Sequence, residues 1–425
     1  MTVTNSWTAT CIAVVCESIV DCLNRTAPVI DETTAYKMIR TTNVRDGWVD
    51  LTTVRYVDEA TYQKWTRRQI PKRGDIILTR EAPLGEVGML RTSDQVFLGQ
   101  RLVSYRVDPA KADNRFLLYA FQADELQAQI KALGSGATVE HMRVPDAKLL
   151  MVSLPPLPTQ RRIASILSVY DDLIENNTRR IAVLEEMARR VYEEWFVQFR
   201  FPGHEEAIYS GDLPKGWRRG PIRDLYAGLY DGPHATPKPS TEGPIFLGIG
   251  NLTESGHLDL SAVRHIAEEE FSKWTKRVTP QPGDIVFTYE ATLNRYAIIP
   301  RGFHGCLGRR LALIRVDPRK SSSLFLYCSF FSSDWRTVIA QNTLSGATVD
   351  RIPLSKLPQF PVNIPPQEII KRFDAMVRPM FDLMHALGQK NANLRAQRDL
   401  LLPKLISGEI DVSSLPLPGA DDEAA

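Results

Sequence analysis

Two hydrophobic patterns alternate along the chain, and each occurs twice. The first is a set of short apolar runs rich in β-branched residues. "GDIILT" and "GDIVFT", each opened by Gly-Asp, read as buried strands. A short helical stretch follows, "FLLYAFQADELQAQIKAL" in one case and "LFLYCSFFSSDWRTVIAQ" in the other. Next come a glycine turn, "SGATV", and extended chain ending in "LPPLP" or "IPP", where the prolines forbid helix and mark a domain edge. The second pattern is helical. Ile163, Ile166, Tyr170, Leu173, Asn177, Ile181, Leu184, Met187, Val191 and Trp195 recur at three- and four-residue steps, with no Pro or Gly from Thr159 to Phe201. At 1.5 Å per residue, ~40 residues make a helix of roughly 60 Å. Phe373, Met376, Met380, Leu383, Leu387, Leu394, Leu401 and Leu405 give a second such helix. Pro379 and Gly388 lie inside it and Pro403 near its end, so a bend is expected at Pro379.

The two halves keep register. "YQKWTRR" matches "FSKWTKR", "RGDIILTREA" matches "PGDIVFTYEA", and "LGQRL" matches "LGRRL", all offset by 209 residues; from "SGATV" onward the offset is 210. This period is far too long for a solenoid and describes a duplicated unit of globular domain plus long helix. The expected fold is therefore a pair of α/β (α+β) domains separated by two long helices, which pack on each other as an antiparallel coiled coil with internal pseudo-two-fold symmetry. The pairing positions are Ile163, Tyr170, Asn177, Leu184 and Val191 on the first helix and Phe373, Met380, Leu387, Leu394 and Leu401 on the second. Asn177, aligned with Leu387, reads either as a solvated gap in the seam or as a polar contact that fixes register. Tyr192, Trp195, Phe196 and Phe199 exceed what one seam needs; they either dock a partner subunit or cap the core of the nearby domain.

Composition narrows the class. Hydrophobic residues make up 43% and the net charge is +2, so any basic surface must be local. No apolar run reaches membrane-span length, and no basic residue precedes the short apolar patch near the start, so neither a membrane span nor a signal peptide is expected. The five cysteines form no CxxC pair and the seven histidines show no metal-ligand spacing, which suits a cytoplasmic protein without a bound metal. Basic residues cluster in two stretches. One holds Lys64, Arg67, Arg68, Lys72 and Arg73; the other, from Ala291 to Lys320, carries seven basic residues against the single Asp317. Two related heads with local basic stripes suit a bipartite double-stranded DNA target.

The stretch "LPPLPTQRRIASIL" continuing through "DDLIENNTRRIAVLEEMARRVYEEWFVQF" resembles the central helix of the specificity (S) subunits of type I restriction-modification systems. The ending "LLPKLISGEI" resembles their distal helix terminus, and the likeness runs over roughly residues 10 to 410. It implies target-recognition domains at 1–157 and 204–364, spacer helices at 158–203 and 365–408, and a tail at 409–425 expected to be disordered. It also implies that each domain reads half of a split site while the helices set the unread gap. The implied partners are double-stranded DNA, two methyltransferase (M) subunits and motor-nuclease (R) subunits. S-adenosylmethionine, ATP and Mg would be bound by those partners, with no cofactor on this chain.

The expected DNA-contacting residues are Arg67, Arg68, Lys72, Arg73, Thr79, Arg80, Gln100 and Arg101 in the first domain. In the second they are Lys276, Arg277, Thr288, Tyr289, Arg309 and Arg310. No catalytic residue is expected. "LGIGNL" lacks the third glycine of a cofactor loop, and "NIPP" lacks the aromatic of a methyltransferase tetrad. Asp75 and Glu81 lack the lysine of a nuclease motif, and Asp75 reads more simply as a turn cap. Two other functions fit less of the chain: the detached recognition half of a fused restriction-methylation enzyme, and a coiled-coil scaffold with protein-binding heads.

Overall fold

The computed structural model describes residues 7–135, 140–346 and 349–415. The chain divides into two compact units, residues 1–177 with 389–425 and residues 178–388. Each unit contains one head together with a portion of each long helix.

In the first unit, strands β1 (Cys16–Asp21), β2 (Ile76–Arg80), β3 (Leu84–Met89) and β4 (Leu102–Val107) form a sheet in the order β1-β4-β2-β3, extended by Gly47–Val49 and Val44–Arg45. The β2 strand is the buried "IILT" run, flanked on both sides by antiparallel partners. Asp75 starts it as a turn cap, accepting the Lys72 N–H at 3.0 Å, and holds Arg106 of β4 at 2.8 Å. A second small sheet sets Tyr36–Ile39 parallel to Gln95–Leu98. The stretch read as one helix is two, Asn114–Gln122 and Asp124–Leu133, broken where Ala123 turns extended (ψ 149°). The Asp113 side chain caps the first of them at the Phe116 N–H. Thr8–Cys11 pairs with Met151–Leu154, so the head begins and ends on adjacent strands.

The long helix α1 (Leu157–Tyr192) starts immediately afterwards, with Pro158 tolerated in its first turn. In the first unit Ile163, Ala164 and Leu167 of α1 share a core with Leu402, Leu405 and Ile406 from the end of the second long helix. Residues 409–415 correct the expectation of a disordered tail: Val412 is buried in that same core and Arg162 donates to the Leu415 carbonyl. Residues 416–425 lie outside the described residues.

The second unit carries β5 (Tyr226–Asp231), β6 (Ile285–Thr288), β7 (Tyr296–Ile298) and β8 (Leu311–Val316) in the order β5-β8-β6-β7. Asp284 and Arg315 repeat the clamp at 2.6 Å. Ser240–Leu247 lies parallel to Gly305–Leu307, and Arg218–Pro221 pairs with Pro361–Ile364. Helix α2 (Gln367–Ile406) runs through Pro379, Gly388 and Pro403 without a break in its helical assignment.

The buried faces of the long helices are rotated from the apolar stripe read in the sequence. Of the expected pairing residues, Ile163, Asn177, Phe373 and Leu387 are buried. Tyr170, Leu184, Val191, Met380, Leu394 and Leu401 are half-buried, while Leu173, Met187, Met376 and Leu383 are exposed. The buried positions include polar ones: Asp171, Asn177, Glu185 and Asn391. Periodicity misplaced the face because these polar groups find hydrogen-bonding partners on folding. Asn177 donates to Asn391 at 2.9 Å, so its partner is not the aligned Leu387. Asp171 accepts from Tyr119 at 2.6 Å and from Arg398 at 2.8 Å. Burial opposes charge on Arg398, but its bonds to Asp171 and Asp399 outweigh that and raise its pKa.

The aromatic cluster is also corrected. Tyr192, Trp195 and Phe196 are buried in the core of the second unit, and Phe199 packs on Trp217 at 5.2 Å. Phe196 meets Phe325 at 4.8 Å and Phe373 at 5.1 Å. These rings fill the head rather than offering a docking face.

Removing Arg398 takes the nearest cation from the buried Asp171 carboxylate and leaves it the Tyr119 hydroxyl and a longer contact to Arg91 at 3.9 Å. Arg398→Ala should cost about 3–5 kcal/mol, and amide exchange should accelerate in 157–177 and 389–406. Unchanged protection there would contradict this reading of the pair. Phe196→Ala should cost about 3–5 kcal/mol and accelerate exchange across the second unit's core. A ring placed for docking would leave that exchange unchanged.

Candidate nucleic-acid interface

One end of the main sheet in each unit gathers several of the expected contacts. In the first unit the chain leaves Gln95–Leu98, turns at Gly99–Arg101 and enters β4. Arg101 takes φ +71°, and its carbonyl accepts the Arg80 N–H at 2.8 Å. Its guanidinium lies 3.3 Å from Glu81. Arg80 donates its own guanidinium to the Met142 carbonyl at 3.0 Å. The loop containing "SGATV" returns here, closed at its base by reciprocal Ser135–His141 backbone bonds of 3.0 Å. Residues 136–139 lie outside the described residues.

The second unit makes the corresponding contacts. Arg310 takes φ +68°, accepts the Tyr289 N–H at 3.2 Å and lies 3.1 Å from Glu290. Its returning loop is closed by Leu344–Arg351 bonds of 2.9 and 3.0 Å, with residues 347–348 outside the described residues. Arg68 and Arg277 reach the same sheet ends, each 2.5 Å from a carboxylate, Asp21 and Asp231 respectively. Those aspartates close β1 and β5 and were missed in the sequence. They stand 210 residues apart, one more than the 209 of the neighbouring motifs, so the repeat register by itself did not align them.

Several expected contacts do not belong to this surface. Thr79 and Thr288 are fully buried, and their hydroxyls accept the backbone N–H groups of Glu86 and Arg295 at 2.9 and 3.4 Å. They are correction points: their hydroxyls hold strand pairing. Lys72 and Arg73 are exposed but lie before β2, at the end opposite Thr79, seven and six residues from it along the chain. Tyr289 is 6% exposed, and burial raises the pKa of its hydroxyl, which therefore stays a neutral phenol. Arg67, Gln100, Lys276 and Arg309 are exposed.

The second basic stripe is largely neutralised within the fold, whereas in the first only Arg68 forms a carboxylate ion pair among the described residues. In the 291–320 stretch, Arg295 pairs with Glu254 and Arg310 with Glu290. Arg315 pairs with Asp284, and Arg319 and Lys320 with Asp317. Arg319 holds the Asp317 carboxyl down at about 2. Among the described residues, Arg301 and Arg309 make no carboxylate ion pair, so the charge available to phosphates is far smaller than the sequence count implies.

The lookalike catalytic motifs resolve into structural elements. Asp75 is clamped by Arg106 and Glu81 lies beside Arg101; Ile249–Asn251 is a single 3-10 turn, and Asn363 sits in a strand. Among the described residues no helix is long and apolar enough to cross a membrane.

Comparison with known proteins finds likenesses over most of the chain. The family described as "Type I restriction modification DNA specificity domain" matches residues 22–186. The type I restriction enzyme MjaIX specificity subunit of Methanocaldococcus jannaschii is 26% identical over 377 residues, covering 85% of this chain and 83% of the relative. The EcoBI specificity subunit of Escherichia coli is 20% identical, covering 88% of this chain and 83% of the relative. The solved S subunit from M. genitalium shares the fold, with a TM-score of 0.55 at 15% identity over 95% of this chain and 98% of that one. The matched domain and the near full-length likenesses agree: the chain is similar to type I restriction enzyme specificity subunits.

Proposed function

We propose that this chain is the sequence-reading subunit of a type I restriction-modification complex, with one recognition domain per compact unit and one half of a bipartite DNA site read by each. The observation that carries this reading is the matched construction of the two sheet ends. In both, a turn with a left-handed arginine is bonded to the end of a buried strand and closed by a returning loop. Constancy of backbone with change of exposed side chain is what two related readers of different half-sites require. Methylation and cleavage then fall to the methyltransferase and motor-nuclease partners, which bring S-adenosylmethionine, ATP and Mg.

The long helices act as the spacer that sets the unread gap. Their antiparallel pairing as a coiled coil is supported within the first unit by the contact order, in which Asp171 meets Arg398 and Asn177 meets Asn391. In the second unit Trp195 and Tyr192 of the first helix region lie against Phe373 near the start of α2. With the aromatic cluster consumed by the core, the methyltransferase subunits dock elsewhere. The exposed apolar side chains Val183, Met187, Met376 and Leu383 on the second unit's helix segments supply that surface, and Val169, Leu173 and Leu400 supply it on the first.

Co-expression with the cognate methyltransferase subunit tests both parts. The purified complex should bind a limited set of bipartite sequences, with affinity falling as salt rises. Val183→Asp combined with Met187→Asp should lose the methyltransferase on co-purification while the chain's own melting is unchanged. Salt-insensitive binding without sequence preference would contradict the reading, and full retention of the methyltransferase would contradict the docking surface.

A further inference from the structure

Within each unit the turn before the last sheet strand is pinned on both sides of one exposed residue. On one side stands a glycine that nothing larger can replace. A Cβ on Gly99 would lie 2.7 Å from the Ile39 carbonyl, to which Gly99 itself donates at 2.8 Å. A Cβ on Gly308 would lie 2.1 Å from the Leu247 carbonyl. On the other side stand the left-handed Arg101 and Arg310, bonded through their carbonyls to Arg80 and Tyr289. The residue between, Gln100 in the first unit and Arg309 in the second, is exposed.

The arginine one step further on is common to both units. It is held by Glu81 or Glu290, so it cannot distinguish one half-site from the other. Gln100 and Arg309 share the backbone and differ in chemistry. The glutamine carboxamide offers both donor and acceptor, and its oxygen accepts from the Thr26 hydroxyl at 3.3 Å. The guanidinium offers donors only. In the major groove, adenine presents an acceptor and a donor, which a carboxamide matches bidentately. Guanine presents two acceptors, which a guanidinium matches.

We propose that Gln100 and Arg309 are corresponding base-reading positions, the first taking adenine in one half-site and the second taking guanine in the other. The inference rests on the DNA-reading function proposed above and adds the identity of one base on each side. It also identifies Arg101 and Arg310 as positioning residues that hold the turn and do not choose the base.

The test uses the complex with its methyltransferase subunit, carrying Gln100→Arg, Arg309→Gln or both. The methylated motif is read by sequencing host DNA, and affinity is measured on duplexes that differ at single positions. Gln100→Arg should convert one adenine to guanine in one half-site only, and Arg309→Gln one guanine to adenine in the other. Affinity for the original duplex should fall about five- to a hundred-fold. Gln100→Ala and Arg309→Ala guard against a misfolded swap, since each should relax the same single position without specifying a new base. An unchanged motif overturns the inference. So does an equal loss of affinity on every sequence, the signature of a phosphate contact, or a change at a position that is not a purine of the expected kind. A wild-type complex with no sequence preference would overturn the proposed function itself, which separates the two failures.

Discussion

Each head is organised around a buried carboxylate closed by one arginine. Asp75 and Asp284 start the central strand of their sheets, are almost wholly inaccessible, and each accepts two hydrogen bonds, from Nε and Nη2, along one edge of a guanidinium from the adjacent strand. Hydrogen bonding to these aspartates raises the pKa of Arg106 and Arg315 further above its usual high value. A buried carboxylate without its partner is costly, so the pair fixes the strands' register. Register in turn places Thr79 opposite Leu102 and Thr288 opposite Leu311, at the end where the turn carrying Gln100 or Arg309 enters the sheet. The proposed reading surface inherits its geometry from a bond at the far end of the same strands.

Legibility in the sequence followed from whether a residue's role depended on its neighbours in the chain or on partners brought by folding. The strands opened by Gly-Asp, the turn cap at Asp75 and the two long helices are local features, and all were readable. The buried face of the long helices was not, because periodicity counts apolar residues and this face buries Asp171, Asn177, Glu185 and Asn391. Asn391 and Arg398, which satisfy two of these groups, come from more than two hundred residues away. Of the two readings of Asn177, the structure shows a polar contact, and Asn391 supplies it.

The candidate site was legible as a location and misjudged in its charges. The loops matched in the sequence fall at matched turns and strand ends in the two units. Counting arginines, however, treated each as available, and folding assigns most of them to carboxylates that the linear sequence does not mark. Thr79 and Thr288 failed for a related reason: they follow the strand motif into a fully buried position, where a hydroxyl serves a backbone N–H. The tyrosine and tryptophan cluster after α1 belonged to the head it adjoins, as one of its two readings held.

In the proposed function each unit reads its own half of the DNA site. Because Arg218–Pro221 and Pro361–Ile364 enter and leave the second head side by side, residues 218–364 can be replaced as a cassette by the matching segment of a relative with a different target. Sequencing of methylated DNA from cells carrying the chimera and the native methyltransferase subunit gives the answer. One half of the methylated motif should change, with the other half retained. A motif altered in both halves, or in neither, would contradict the division of reading between the two units.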